Sequence, residues 1–153
     1  MCGRARAFYA SLFSLDTTDA EACRMLWTEL PMVSVGDQDR LELPCSLAEL
    51  LEALCLMPTN KSPGMDGLTV EFYRMFWDVL SLDLVIVSAE PLQSGILPLF
   101  GNKASVAHLH KKVHLRDLQN WRPISLLSTT YKVVAKAISL RLGSMLADMV
   151  HPD

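Results

Sequence analysis

The 153-residue chain is long enough for one domain with a core, and with half its residues hydrophobic and a fifth charged it has a globular composition, which excludes a disordered protein. Its net charge of −3 taken alone argues against a nucleic-acid binder, but the charge is unevenly placed. Residues 1–99 carry six Lys and Arg against fourteen Asp and Glu, a balance of −8, whereas residues 100–153 carry eight against three, a balance of +5; a polyanion would bind the second part, the alternative being a solvated basic helix face.

In chain order, Arg4 and Arg6 precede a short apolar run, and acidic residues begin at Asp16 without a small-residue cleavage site. Residues 4–14 therefore read as an amphipathic helix and not as a signal peptide. A second short helix is expected over 18–29, opened by Asp19 and Glu21 and ended by Pro31. Residues 32–44 read as irregular with one helical turn near 36–40. Ser46 with Glu49 three residues later is a capping box. Leu47, Leu50, Leu51 and Leu54 then form an apolar stripe, with Glu49 and Glu52 facing out, and Pro58 stops the helix. Residues 60–67, NKSPGMDG, are turn formers.

Thr69 caps the next helix, whose stripe is Phe72, Tyr73, Phe76 and Leu80, continued from Ser81 by Leu82, Val85, Ile86 and Ala89 until Pro91 kinks or ends it. Asp83, Glu90 and Pro91 break the apolar stretch 79–100, which is therefore no membrane span. Residues 103–111 and 121–127 read as two strands that pair, with Pro123 at an edge or strand start. Ser128 or Thr129 caps a long last helix. Its expected stripe runs through Tyr131, Val134, Ala135, Ile138, Leu142 and Met145, continuing to Leu146 and Met149, with Lys132, Lys136 and Arg141 off the stripe.

Little in the chain points to catalysis. Cys2, Cys23, Cys45 and Cys55 form no CxxC pair, so they read as free buried thiols and not as a zinc site. His108, His110 and His114 permit a three-imidazole metal site without demanding one; chance histidines on a half-exposed strand are the alternative. No nucleophile with a base and an orienting group is visible, and Asp66, Glu71 and Asp78 do not converge. The loop 60–67 offers a lysine, a serine and backbone N–H groups to a phosphate but lacks the P-loop order; a tight turn between helices is the alternative. The best cluster is Lys111, Lys112 and Arg122. If the two strands pair, these cations suit a triphosphate or a nucleic-acid backbone, the alternative being a solvated hairpin end.

Several stretches, in order and at matching spacing, resemble reverse transcriptases of non-LTR retrotransposons (long interspersed elements). They are FYASLF at 8–13, NKSPGMDGLTVEFY at 60–73, Phe76-Trp77, QSGILP at 93–98, Lys111-Lys112, WRPISLL at 121–127, the Y-K-x-x-x-K-x-x-x-x-R-L pattern at 131–142, and His151-Pro152-Asp153. The resemblance implies an α+β, mostly helical part of a polymerase right hand: linker helices over 1–45, then the N-terminal extension and fingers over 46–153, with a small β-ribbon and a long C-terminal helix, ending before the palm. It implies that Arg122, with Lys111 or Lys112, holds the incoming nucleotide's triphosphate, and that Lys61, Ser62 and Gly64 lie against template RNA. The family's magnesium-binding carboxylates belong to the palm, so no catalytic or metal-binding residue and no cofactor is expected within these residues. The implied function is that of a fingers fragment, inactive alone, with weak binding of RNA and of a nucleoside triphosphate. No membrane contact is expected, the palm normally covers the last helix, and the location is the cytoplasm or nucleus. The alternative is a non-catalytic helical interaction protein that uses the basic C-terminal helix.

Overall fold

The computed structural model describes residues 2–14, 18–28, 33–95, 103–111, 114–115 and 117–149. The helices are α1 (Cys2–Leu12), α2 (Ala20–Thr28), α3 (Val35–Glu42), α4 (Leu47–Leu56), α5 (Val70–Met75), α6 (Trp77–Ser94) and α7 (Thr129–Met149). Between α6 and α7 lie β1 (Ser105–His110), a 3-10 turn (Leu118–Asn120) and β2 (Trp121–Leu126). The described chain is thus mostly helical, with β1 and β2 paired as a two-stranded antiparallel ribbon. Its residues fall into two compact units, a smaller one within 1–32 and 108–123 and a larger one within 33–107 and 124–153. Among the described residues, no helix is long and apolar enough to cross a membrane.

The core of the larger unit is built on α4. Ser46 caps it reciprocally: its hydroxyl accepts from Glu49 N–H at 3.3 Å, while Glu49 Oε2 accepts from Ser46 N–H at 2.8 Å. Leu50, Ala53 and Leu54, at i, i+3 and i+4, are completely buried against Val133 and Ala137 of α7 and against Val70, Tyr73 and Leu84. Full burial of each leucine contributes roughly 1.5–3 kcal/mol. The packed face differs from the expected one, because Leu47 and Leu51 stay partly open to solvent and Ala53 takes a core place. At the other end of α4, Arg74 donates through Nη2 to the carbonyls of Leu54, Cys55 and Met57 at 2.7–2.9 Å. These are the last-turn acceptors that a helix cannot satisfy by itself.

The stripe on α7 is rotated from the one expected. Val133, Ala137, Arg141 and Met145, four residues apart, are the buried row, whereas Ala135, Leu142 and Leu146 are exposed. Arg141, expected off the stripe, has a side chain only 6% exposed. Its Nε and Nη2 each donate at 2.9 Å to Glu49, one to each carboxylate oxygen. Nη1 donates to the carbonyls of Arg40, Leu41 and Leu43, and Nη2 also reaches that of Pro44 at 3.3 Å. Glu49, expected to face out, is therefore the partner of a buried charge. The carbonyls are those at the end of α3 and in the following segment, where a free carbonyl would otherwise need water. The arginine sits on the buried face because its fork satisfies all of these acceptors together.

Two further boundaries differ from expectation. The helix that begins at Thr69 breaks at Phe76, whose φ of −104° and ψ of 22° end α5. The Phe76 carbonyl still accepts from Val79 and Leu80, so α6 restarts at once. Pro91 does not end α6, whose backbone runs on to Ser94. A proline this close to a helix end forfeits one N–H bond and leaves little helix behind it to break. Among the described side chains, Cys45 alone of the cysteines is buried; Cys23 is half-buried and Cys55 exposed, and all three are free.

The loop between α4 and α5 clasps the start of α7. Asn60 and Gly67 have positive φ, 57° and 73°, the turn conformation that Asn and Gly accept most readily. Thr129 donates its hydroxyl to the Leu68 carbonyl, and Tyr73 shares a 2.7 Å hydrogen bond with Thr130. The cap of α7 is Ser128, whose hydroxyl accepts from Tyr131 N–H at 3.3 Å. Gly64 lies so close to it that a Cβ there would sit 2.6 Å from the Ser128 backbone.

Three outcomes follow for stability, each measured by urea denaturation. Arg141→Ala lowers the unfolding free energy by roughly 3 kcal/mol, because Glu49 and the carbonyls lose their donor; Arg141→Lys restores only part of this. Gly64→Ala destabilises by about 1–3 kcal/mol through overpacking, whereas Gly36→Ala, which meets open space within α3, is neutral or stabilising. The hydrogen bond from Arg141, reinforced by those from Ser46 and opposed by burial, lowers the Glu49 pKa from 4.5 to about 2. A depressed carboxylate stabilises the fold fully above its unfolded value, so this contribution is lost as pH falls from 4.5 through about 2. Glu49→Gln removes that part of the acid dependence.

Candidate nucleic-acid interface

Of the cations singled out from the sequence, Arg122 lies in β2 and Lys111 directly follows β1. Lys111 N–H donates to the Asn120 carbonyl at 2.7 Å, and the His110 and Trp121 rings meet at 5.1 Å. This register sets His110 across from Trp121 and Leu109 across from Arg122. Because side chains alternate along a strand, Arg122 is on the face away from Trp121. In a regular ladder Lys111 shares that face as the diagonal neighbour of Arg122, about 7 Å away. Both side chains are exposed, and among the described residues neither makes a hydrogen bond or an ion pair. Lys112 lies outside the described residues.

Local bonds hold the tip of the ribbon. Asp117 Oδ1 accepts from Gln119 N–H at 3.0 Å and caps the 3-10 turn. Asn120 Nδ2 donates to the His114 carbonyl at 3.3 Å, and Trp121 Nε1 to that of Leu115 at 3.2 Å. The turn therefore fixes Trp121, and through the strand alternation the direction of Arg122. A guanidinium on a fixed backbone, with no acceptor among the described residues, can offer its fork to a phosphate.

The second set, Lys61, Ser62 and Gly64, belongs to the larger unit. Lys61 is exposed, and the Ser62 carbonyl accepts from Lys132 Nζ at 3.1 Å. Gly64 provides the close approach to α7 described above. Lys132 thus ties the loop to the last helix, a link between residues 70 apart that no local pattern announces. The three histidines do not gather: the His108 ring packs on Tyr9 at 5.1 Å, His110 on Trp121, and His114 lies in the turn segment. Among the described residues no three His, Cys, Asp or Glu side chains are grouped so that they could hold a metal ion. The donor set of the described residues therefore does not fit the magnesium site of a polymerase.

Sequence reasoning missed the two most heavily bonded cations, Arg74 and Arg141. The only local hint of Arg141 was its spacing of four residues from Ala137 and eight from Val133, which puts it on a helix face with them. The Tyr9–His108 contact joins residues too distant in sequence to be paired by any local pattern.

No family model matches the chain. It is 55% identical over 150 residues to an uncharacterized 149 kDa protein of transposon TX1 from Xenopus laevis, a match that covers 98% of this chain and 12% of that protein. It is 27% identical over 112 residues to a probable RNA-directed DNA polymerase from transposon BS of Drosophila melanogaster, covering 72% of this chain. To the RNA-directed DNA polymerase from the Drosophila melanogaster mobile element jockey it is 29% identical over 107 residues, covering 67% of this chain. The chain spans about 12% of the length of each of these relatives. The homologues of this chain are thus proteins of non-LTR mobile elements, RNA-directed DNA polymerases among them.

Proposed function

We propose that these residues form the template- and nucleotide-contacting fingers part of a retrotransposon RNA-directed DNA polymerase, within a right-hand polymerase fold, and that by themselves they do not polymerise. What supports this reading is that Lys111 and Arg122 are both exposed, and that a regular ladder would set them on one ribbon face, in a chain similar to such polymerases. Arg122 offers a planar fork to two phosphate oxygens, and Lys111 adds a point charge beside it; together they suit a triphosphate or two successive backbone phosphates. Lys61 and the loop 60–67 provide a second contact to template phosphate. Phosphoryl transfer needs carboxylates that hold metal ions, which neutralise the phosphates and activate the attacking hydroxyl. The described residues group no such set. Leu142 and Leu146, 40% and 48% exposed on α7, suit coverage by the palm. The same exposed residues favour the second reading, a helical interaction protein that docks through α7. An intracellular location, cytoplasm or nucleus, goes with either reading.

In a primer-extension assay with magnesium, the purified chain is expected to incorporate no nucleotide; measurable incorporation would refute the claim of inactivity. Single-stranded RNA is expected to bind weakly, with log K falling against log salt by about 0.7 for each phosphate contacted. Arg122→Ala should weaken binding and reduce that slope by about one contact, followed by fluorescence anisotropy at several salt concentrations. A slope and affinity unchanged by Arg122→Ala would remove the phosphate site and leave α7 docking as the better reading.

A further inference from the structure

The helix α6 is apolar on two opposite faces, and the larger unit covers only one. Ser81, Leu84 and Ser88 lie on the buried side, with Leu80 and Val85 partly buried beside them, and the Ser88 hydroxyl is satisfied by the Val85 carbonyl at 2.8 Å. At 100° per residue the opposite side carries Val79, Leu82 and Ile86, which are 66–74% exposed. This departs from the expected stripe, which put Leu82 and Ile86 on the packed face. A helix that is hydrophobic all round is normally buried all round.

The exposed row has heptad spacing. Val79 and Ile86 stand at a positions, Leu82 and Ala89 at d positions; β-branched residues at a with leucine at d favour a two-stranded coiled coil. The flanks have a single sign. Asp83 and Glu90 occupy e positions and Asp78 a g position, all exposed, and no Lys or Arg occurs between 75 and 94. A second copy laid along this seam would bring carboxylates against carboxylates, so the charge pattern disfavours self-pairing. A helix with apolar residues at a and d and Lys or Arg at e and g would bury the row and neutralise its flanks.

We propose that the outer face of α6 is a docking seam for a basic amphipathic helix of another protein segment, seated on Val79, Leu82 and Ile86 and paired with Asp78, Asp83 and Glu90. The seam spans only about two heptads, roughly 20 Å, so the charge pairs decide which helix binds.

The test uses the 153-residue chain and two designed helical peptides of about three heptads. Both have Ile at a and Leu at d; one carries Lys and the other Glu at e and g. Titration calorimetry should show the Lys peptide binding at least about tenfold more tightly than the Glu peptide, the ratio shrinking with added salt. Leu82→Glu, at an exposed position and neutral for the fold, should abolish the Lys-peptide binding, while Val35→Glu, exposed at the start of α3, should leave it unchanged. Equal affinity for both peptides, or Lys-peptide binding that survives Leu82→Glu, would overturn the seam. So would sedimentation showing that the chain pairs with itself through α6, abolished by Leu82→Glu.

Discussion

The guanidinium of Arg141 is held by both oxygens of Glu49 and by carbonyls of residues 40–44, so one side chain of α7 joins the end of α3 to the start of α4. Most of the larger unit follows from that connection. Glu49 is also the N3 residue of the capping box, so the bond that orients Arg141 fixes the first turn of α4 as well. With that turn fixed, Leu50, Ala53 and Leu54 face Val133 and Ala137. A buried ion pair in place of an apolar contact is not in itself a route to high stability, because desolvating the charges offsets much of their attraction. What it supplies is register, since no other rotation of α7 brings a donor fork to these acceptors.

A second arginine serves the far end of the same helix. Arg74, from α5, satisfies carbonyls at the C-terminus of α4, so α4 is closed by a cation at one end and by a capping box at the other. The loop 60–67 then returns the chain to the N-terminus of α7, where Gly64 makes room for the Ser128 backbone and Lys132 reaches the Ser62 carbonyl. The cations of the larger unit that are bound to protein are thus structural, while Lys111 and Arg122 on the ribbon remain without protein partners among the described residues. That difference separates an arginine that builds the fold from one available to a ligand.

Much of this was legible in the sequence. The capping box at Ser46, the caps at Thr69 and Ser128, the ribbon near 105–126 and the long last helix all rest on local rules, and they formed as those rules require. The misreadings concern which side of a helix is covered. Leu82, Ile86 and Leu142 have every property of core residues and are exposed, whereas Arg141 has every property of a surface residue and is buried. Periodicity reports that a helix has an apolar face; for α6, which has two, it cannot say which one meets the rest of the unit. The cation pair of the candidate site was readable only on the condition that the two strands pair, since it is the bond from Lys111 to Asn120 that brings residue 111 near residue 122.

Read alone, the residues set where α4, α5 and α7 begin, where the chain turns, that the positive charge gathers in its last third, and the family resemblance that the comparisons with mobile-element proteins support. Each of these depends on neighbours within a few residues or on the order of motifs. Tertiary structure alone decided the rotation of α7, the partner of Glu49, the clasp of Gly64 on Ser128 and the uncovered face of α6. The physical reason is that hydrogen bonding and burial are satisfied by whatever group arrives in space. Arg141 and Glu49 are 92 residues apart, and nothing local to either shows that the other will be there.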